Sequence, residues 1–258
     1  MTTRRRLLLA AAAAPLPAAA ALPDVVSRLR ASVLPVGTLS PTDSPRFGFR
    51  GTGFVVGDGT LVATNAHVMP PPTDLVGERR LAVLVGGARG EPRPARLQAT
   101  DRAHDLVLLK IEGAPLAPLE LDTEASAREG QEIALMGFPL GGALGFSPVT
   151  HRGIVASLTQ VAVQAPTAQQ LDARAIARLR EGNFDVLQLD ATAYPGNSGG
   201  PLFDSASGRV LGIVNMVLVK GSRESALAQP TGITYAIPVR HLLALLAETG
   251  QPVPTQTR

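Results

Sequence analysis

The sequence contains no cysteine and no tryptophan, and it has only two tyrosines among 258 residues. The absence of cysteine excludes disulfide bonds, thiol catalysis, lipid anchoring through a cysteine and any metal site built on thiolates. The fold must therefore be held by packing and hydrogen bonds. With 26 glycines, 22 prolines and 45% hydrophobic residues, the composition is typical of a globular protein rich in turns, not of a disordered or coiled-coil chain.

The N-terminus has the features of a secretory signal peptide. Three arginines, Arg4 to Arg6, precede an apolar stretch that starts at Leu7, and small residues suited to signal cleavage lie near Ala21. Because two prolines interrupt this stretch and a membrane span needs about 20 apolar residues, we favour a cleaved leader at residues 1–21 over an uncleaved anchor. The arginines fit a Sec signal or a twin-arginine signal. We therefore expect a periplasmic or secreted protein, without stable membrane insertion after removal of the leader.

The charge balance argues against a polyanionic partner. Removal of the leader lowers the 24 Lys and Arg residues to 21, equal to the 21 Asp and Glu residues. A neutral chain offers no basic field for nucleic acid or an anionic membrane surface. No group of His, Asp and Glu has metal-ligand spacing, and no glycine-rich loop has the strand and helix context of a phosphate site. We therefore expect no nucleic acid, no metal and no cofactor.

Most of the remaining chain has a β pattern, in which short apolar or β-branched runs alternate with turns rich in Gly, Pro and Asp. The twelve predicted strands are 31–38, 52–56, 61–64, 81–85, 95–100 and 106–111, followed by 133–137, 148–158, 186–189, 201–203, 209–219 and 232–237. The segment 112–131 lacks clean alternation and is interpreted as a connection between two sets of six strands. The predicted fold class is all-β.

Two segments favour helix instead. Leucines recur at helical spacing over residues 239–249, and Gly250 ends the pattern, so a C-terminal amphipathic helix is predicted there. Residues 169–181 are polar with a few apolar positions at helical spacing. They are interpreted either as an exposed surface helix or as a flap over a substrate groove.

A glycine-rich serine motif is the strongest functional signal. Ser198 lies in the sequence GNSGGP, which starts at Gly196. A serine hydroxyl is a poor nucleophile unless a positioned base accepts its proton, and acyl transfer also needs backbone N–H donors aimed at the developing oxyanion. Glycines next to a serine allow a tight turn that presents both. Taken alone, the motif also fits an ordinary turn.

A histidine and an aspartate supply the partners that such a serine needs. His67 follows the apolar run LVATNA, and Asp105 directly precedes the apolar run LVLL. A base held at a strand end is rigidly placed for proton transfer. A buried carboxylate needs a partner, and an imidazole N–H is one. Each residue alone is more typical of a core histidine or a turn aspartate, but the order His, Asp, Ser across two sets of strands favours a catalytic triad.

The sequence as a whole resembles the trypsin-like serine proteases. The segments GTGFVV, LVATNAHV, DLVLLK, GNSGGPLF, LGIVN and GITYAIP resemble the bacterial HtrA/Deg branch, over about residues 25–249. The resemblance implies two six-stranded antiparallel β-barrels with a cleft between them. The first barrel would occupy about 25–111 and the second about 132–250, within a protease domain at 22–258. No sequence after the final helix is long enough for a PDZ domain, so PDZ-dependent activation and trimer formation are not carried over.

The resemblance also assigns roles to individual residues. His67, Asp105 and Ser198 would be catalytic, and the N–H groups of Gly196 and Ser198 would form the oxyanion hole. Backbone at Asn215, Met216 and Val217 would pair with a polypeptide substrate as an added strand.

Specificity and competing functions complete the sequence-based expectations. Thr192 stands six residues before the serine, where trypsins that cut after Arg or Lys have an aspartate, so small or medium aliphatic P1 residues are expected. Two other interpretations stay open: a chaperone-like protein that holds unfolded chains and cuts poorly, and a broad esterase. The sequence gives no expectation for the oligomeric state.

Overall fold

A computed structural model describes residues 21–87, 90–124, 127–141, 145–160, 184–215 and 233–250. Residues 1–20 of the predicted leader 1–21, the segment 169–181, Met216 and Val217 lie outside the described residues, so the expectations for them stay predictions. Within the described ranges, no helix has both the length and the apolar character that a membrane crossing requires.

The described chain consists mainly of strands, with one helix at each end. Helix α1 spans Leu22–Leu29 and helix α2 spans Val239–Glu248. The first six strands are β1 Val33–Leu39, β2 Phe47–Val56, β3 Leu61–Asn65, β4 Arg80–Val85, β5 Glu91–Asp101 and β6 Leu106–Ile111. The other six are β7 Glu132–Gly137, β8 Val149–Gln160, β9 Asp185–Asp190, β10 Pro201–Asp204, β11 Val210–Asn215 and β12 Ile233–Pro238.

The strands close into two antiparallel barrels, as the sequence predicts. The strand order is β1-β2-β3-β6-β5-β4 in the first barrel and β10-β11-β12-β9-β8-β7 in the second. In each closed barrel, every strand is paired with a neighbour on both sides. Between the barrels, Leu119 N–H donates to Val55 O of the first barrel at 2.9 Å, and Leu121 forms an isolated bridge with Val210 of the second. The connection therefore contacts both barrels.

Three apolar clusters account for most of the core. One fills the first barrel around Val62 and Leu109, and one fills the second around Leu135 and Leu189. The third joins the barrels to each other and to both helices; it includes Val25, Phe54, Leu108, Met136, Phe203, Ile213, Leu242 and Leu246. Because this third cluster takes residues from both barrels, it fixes their relative position, and hence the geometry of any site at their junction.

The structure differs from the sequence-based expectation at the N-terminal end of the first barrel. Residues 22–29 form helix α1, which the sequence analysis did not anticipate. Val25 and Leu29 of this helix are buried in the cluster between the barrels, and Arg28 Nη2 donates to Ser207 O at 2.6 Å. The helix begins at Leu22, directly after the predicted leader, and packs against the turn between β10 and β11.

A stacked pair of histidines connects α2 to the turn between β5 and β6. The rings of His104 and His241 are nearly parallel, with centroids 3.7 Å apart, and the ring of Phe184 contacts both edge to face. His104 Nδ1 also lies 2.6 Å from Asp101 Oδ2. The ring of His241 is half-buried in this stack, and its buried Nε2 has no partner among the described residues.

Acid is expected to destabilise the protein through His241. Burial, with help from His104 and Arg240 and against the opposing carboxylates of Asp101 and Asp185, lowers the pKa of His241 to about 4. The unfolded chain therefore binds more protons than the native state below the ordinary histidine pKa of about 6.5. Stability is then lost as the pH falls from about 6.5 towards 4.

The test compares the wild type with His241→Gln by chemical denaturation at about pH 7.5 and about pH 5. Because the ring is partly screened by solvent, the wild type should lose about 1 kcal/mol more than the variant between the two pH values. An equal loss in both proteins would contradict a role of His241 in the acid sensitivity.

Candidate active site

The structure brings His67 and Asp105 into direct contact. His67 lies in a single 3₁₀ turn, Ala66–Val68, directly after β3, and Asp105 is the last residue before β6. His67 Nδ1 is 2.6 Å from Asp105 Oδ2, and the backbone N–H of His67 donates to Asp105 Oδ1 at 2.8 Å. The side chains are 27% and 25% exposed. Since β3 and β6 are paired neighbours in the first barrel, the sheet itself fixes the distance between the two residues.

The backbone of Asp105 is held as firmly as its carboxylate. Its carbonyl oxygen accepts hydrogen bonds from Ala66 N–H at 3.0 Å and from Asn65 Nδ2 at 3.1 Å. Its φ of 53° is left-handed, a conformation that Asp and Asn adopt more readily than other residues with a side chain. Two features therefore favour aspartate at position 105: the left-handed φ, which Asp and Asn tolerate, and the hydrogen bonds that its carboxylate accepts.

Asn215 makes a contact that the sequence analysis missed. Its side chain, 1% exposed, donates from Nδ2 to Asp105 Oδ2 at 2.8 Å. The sequence analysis gave Asn215 only a backbone role in substrate pairing. Because Asn215 ends β11 of the second barrel, this hydrogen bond links the carboxylate of the first barrel to the second. No local sequence pattern indicates this contact, which depends on the packing of one barrel on the other.

Ser198 lies at the junction of the barrels, in the loop between β9 and β10. It is 6% exposed, and its carbonyl oxygen accepts from Thr52 N–H of β2 at 2.9 Å. The next residue, Gly199, donates its N–H to Val214 O at 2.9 Å, beside Asn215. Hydrogen bonds therefore hold the loop both to β2 of the first barrel and to β11, the strand that ends at Asn215.

Two glycines of the serine motif are required by close approach of the backbone. Gly196 has a φ of 105°, and a Cβ there would lie 2.3 Å from Phe138 O. Gly199 has a φ of 84°, and a Cβ there would lie 2.1 Å from Thr52 O. Both conformations are ordinary only for glycine, and both contacts exclude a side chain. The glycines of the motif thus allow the loop to pack closely against backbone atoms of both barrels.

Hydrogen bonds also order the segment just before Ser198. Pro195 O accepts from Leu140 N–H at 2.9 Å, and Asn197 N–H donates to Tyr194 O at 2.9 Å. A trans peptide unit directs its C=O and N–H in opposite directions, so fixing Pro195 O turns the N–H of Gly196 away from Leu140. The side-chain amide of Asn197 is buried and contributes no hydrogen bond to any described residue.

This arrangement supplies an oriented base. A carboxylate only accepts hydrogen bonds, so the imidazole proton of neutral His67 resides on Nδ1 and Nε2 is left as an acceptor. That tautomer takes a proton from a hydroxyl in acyl transfer. Of the residues predicted to bind substrate, Thr192 is partly exposed in the loop before the serine and Asn215 is buried beside Asp105.

Comparisons with known proteins agree with the fold and with the motifs. The family described as "Trypsin-like peptidase domain" matches residues 51–213, a range that includes His67, Asp105 and Ser198. The solved structure of the Rv3671c protease in an inactive form superposes with a TM-score of 0.60 at 23% identity, over 88% of this chain and 92% of that one. At this identity, the superposition supports a shared fold and nothing further.

Two curated relatives are HtrA-type proteases. Mitochondrial serine protease HTRA2 of Drosophila ananassae is 28% identical over 201 residues, which are 78% of this chain and 39% of the relative. Putative serine protease HhoA of Synechocystis is 28% identical over 207 residues, which are 80% of this chain and 44% of the relative. The chain thus spans about two fifths of the length of these relatives. The match of the family to well over half of the chain shows that this protein belongs to the trypsin-like peptidase domain family.

Proposed function

We propose that the protein is a serine endopeptidase that hydrolyses peptide bonds of protein substrates. The observation that carries this proposal is the 2.6 Å contact of His67 Nδ1 with Asp105 Oδ2, in a chain whose match to the trypsin-like peptidase family, residues 51–213, includes Ser198 and its glycine-rich motif. The relatives named as serine proteases support the same reaction class. No cofactor is needed, because the base, the carboxylate and the nucleophile are all side chains of the chain.

Acylation begins when His67 Nε2 accepts the proton of Ser198 Oγ as this oxygen bonds to the scissile carbonyl carbon. The carbonyl oxygen becomes an oxyanion, stabilised by the N–H groups of Gly196 and Ser198. His67 then returns the proton to the leaving amine as the C–N bond breaks, which leaves an acyl ester on Ser198. Asp105 stabilises the imidazolium throughout and remains ionised.

Deacylation repeats the sequence with water. His67 Nε2 takes a proton from the water molecule as its oxygen attacks the ester, and the second oxyanion occupies the same hole. Collapse of this intermediate returns the proton to Ser198 Oγ and releases the carboxylic acid product. The protein is regenerated without net change.

The substrate backbone is proposed to bind as an added strand next to Asn215, Met216 and Val217, where its own N–H and C=O groups are satisfied and alternate side chains enter pockets. The leader at residues 1–21 is proposed to direct the protein to the periplasm or the medium. Degradation of damaged or unfolded proteins outside the cytoplasm is the role proposed there.

The proposed reaction is tested with a fluorophosphonate probe, casein and a small activated ester. The wild type should be labelled and should cleave casein, and the Ser198→Ala variant should do neither. Labelling with ester turnover but without casein cleavage would favour the esterase. Binding of unfolded casein without labelling would favour the chaperone-like protein and overturn the protease.

The protein is expected to prefer aliphatic P1 residues such as Val, Ala or Leu. Thr192 offers no charge to a lysine or arginine side chain, and Asp190 is exposed at the end of β9. An unpaired cation in a closed pocket costs several kcal/mol, so kcat/KM for Arg or Lys at P1 should be lower by about two orders of magnitude. A peptide library measures the preference, and Thr192→Asp should raise cleavage after Arg and Lys. Preference of the wild type for these two residues would contradict the assignment.

A further inference from the structure

The side chain of Thr52 connects the two barrels at the loop that carries Ser198. Thr52 lies on β2 of the first barrel and is 0% exposed. Its hydroxyl donates to Gly196 O at 2.6 Å and accepts from Phe138 N–H at 3.1 Å. Both partners belong to the second half of the chain, so one buried hydroxyl ties the first barrel to two backbone groups beside the candidate oxyanion hole.

The bond to Gly196 O matters because Gly196 is intrinsically mobile about its own dihedral angles. Glycine samples both signs of φ, so a φ of 105° is not enforced by its own sterics. The peptide plane before Gly196 is held by the bond from Leu140 N–H to Pro195 O. The plane after it is held by Thr52 Oγ1. The Gly196 N–H lies in the first of these planes, and the Thr52 hydroxyl acts on its direction through the φ and ψ angles of Gly196, which connect the two planes.

The peptide unit that carries Gly196 O is also held at its N–H, because Asn197 N–H donates to Tyr194 O at 2.9 Å. Among the described hydrogen bonds of this unit, the one from the Thr52 hydroxyl ties it to the first barrel. The side-chain amide of Asn197 is buried near Gly137 and makes no hydrogen bond to a described residue. The backbone N–H of Thr52 holds Ser198 through its carbonyl oxygen, but any residue at position 52 other than proline provides that N–H. The hydroxyl is therefore the part of Thr52 that is specific to the Gly196 peptide.

We propose that Thr52 is a positioning residue for the oxyanion hole: its hydroxyl holds Gly196 O and thereby the φ and ψ angles of Gly196, so that the Gly196 N–H points at the developing oxyanion. The inference rests on the proposed function. The described hydrogen bonds of the Thr52 hydroxyl go to the backbone of Gly196 and Phe138, so Thr52 acts through that backbone. Since hydrogen bonds to an oxyanion strengthen in the transition state, a misdirected donor lowers kcat more than it weakens substrate binding.

The decisive variant is Thr52→Val, which keeps the shape of the side chain and removes the hydroxyl. We expect kcat to fall between about 10- and 100-fold with KM within about threefold of the wild type, measured well below the unfolding temperature. Binding of a peptide boronate, which places an oxygen in the hole, should weaken by a similar factor. The pH dependence of kcat/KM should keep the shape that it has in the wild type, because the contact of His67 with Asp105 is intact. Thr52→Ser should restore kcat to within about threefold.

Thr64→Val is the matched control. Thr64 is also fully buried, and its hydroxyl donates to a backbone carbonyl, Thr52 O, at 2.7 Å within the first barrel. Its replacement should lower the unfolding temperature without the loss of kcat. If Thr52→Val does not fold, Thr52→Ala is compared with Thr64→Ala by the same criteria.

The outcomes separate this inference from the proposed function. An unreactive wild type overturns both. A reactive wild type whose Thr52→Val variant matches Thr64→Val in kcat and in boronate affinity overturns the positioning role alone. A loss of kcat that Thr52→Ser does not reverse also overturns it, since the hydroxyl would then not be the group responsible.

Discussion

Replacement of Ser198 or His67 by alanine is expected to lower the rate of peptide hydrolysis by about five orders of magnitude, and replacement of both should lower it little further. Neither residue acts without the other: the serine hydroxyl needs a base for its proton, and the base has no function without the nucleophile. Residual turnover in all three variants would come from substrate binding and from the oxyanion donors.

The measurement is kcat and KM on one peptide substrate for the wild type, the two single variants and the double variant. Ser205→Ala is the control for the serine, because Ser205 is also buried in the second barrel, in the turn after β10. It should retain activity within about threefold, since alanine keeps the hydrogen bond that Ser205 N–H donates to Glu132 O at the start of β7. Losses in the double variant equal to the product of the single losses would mean that the two residues act independently and that the triad is misassigned.

The strands were predictable because their signals are local, whereas their closure into two barrels was expected from the resemblance to the trypsin-like proteases. Strand β6 has the predicted bounds, Leu106–Ile111, since a mostly apolar run too short for a typical helix and bounded by an aspartate and a glutamate is typical of a buried strand. Strand β2 extends five residues before its predicted start at residue 52. Its first half alternates Phe with Gly and Arg, and it becomes a strand by pairing with β1, from Leu39 opposite Phe47 onward. Pairing partners are a property of the whole fold and leave little trace in the local sequence.

Helix α1 shows a second reason why prediction from the sequence is incomplete. Its residues LPDVVSRL directly follow the apolar leader and contain two adjacent valines, which favour strands. Pro23 and Asp24 in the first turn and Arg28 in the last turn are local signals that favour a helix. The burial of Val25 and Leu29 between the barrels, which arises from tertiary packing, stabilises it. Isolated helices of this length are marginal in water, so the prediction fails where stability comes from distant residues.

The candidate site divides in the same way. His67, Asp105 and Ser198 are marked by motifs, because each has a residue type and a local context that its chemistry requires. Asn215 and Thr52 act through side chains that cross from one barrel to the other. Their role depends on how the two barrels are oriented relative to each other. The hydrophobic periodicity of the sequence does not predict that orientation. Such supporting residues become visible only when the coordinates show what their side chains contact.

Asp105→Asn is expected to lower kcat by about three to four orders of magnitude while the fold survives. The carboxylate accepts three hydrogen bonds: Oδ1 from the His67 N–H, and Oδ2 from His67 Nδ1 and Asn215 Nδ2. An amide has one oxygen and one NH₂ group. With the oxygen at the Oδ1 position, the NH₂ group faces the imidazole and the side chain of Asn215, both of which are donors.

The imidazole relieves this conflict by changing tautomer. His67 Nδ1 becomes the acceptor and the proton moves to Nε2, which then cannot take the proton of Ser198. The backbone gives no reason for unfolding, because asparagine tolerates the left-handed φ of 53° at position 105. Asp105→Ala would add backbone strain to the loss of the carboxylate, so Asn is the more informative substitution.

The chain contains a matched control for this experiment four residues away. Asp101 and His104 form a pair of the same geometry, with Nδ1 and Oδ2 2.6 Å apart and side chains 24% and 26% exposed. Asp101→Asn therefore removes an equivalent carboxylate from an equivalent imidazole without touching His67. We expect it to change kcat less than about fivefold, because the cost of the substitution is specific to the tautomer of the catalytic base. Equal losses of kcat in the two variants would indicate that Asp105 acts through the stability of the loop before β6. A large loss confined to Asp105→Asn, at an unchanged unfolding temperature, would support the orienting role of its carboxylate.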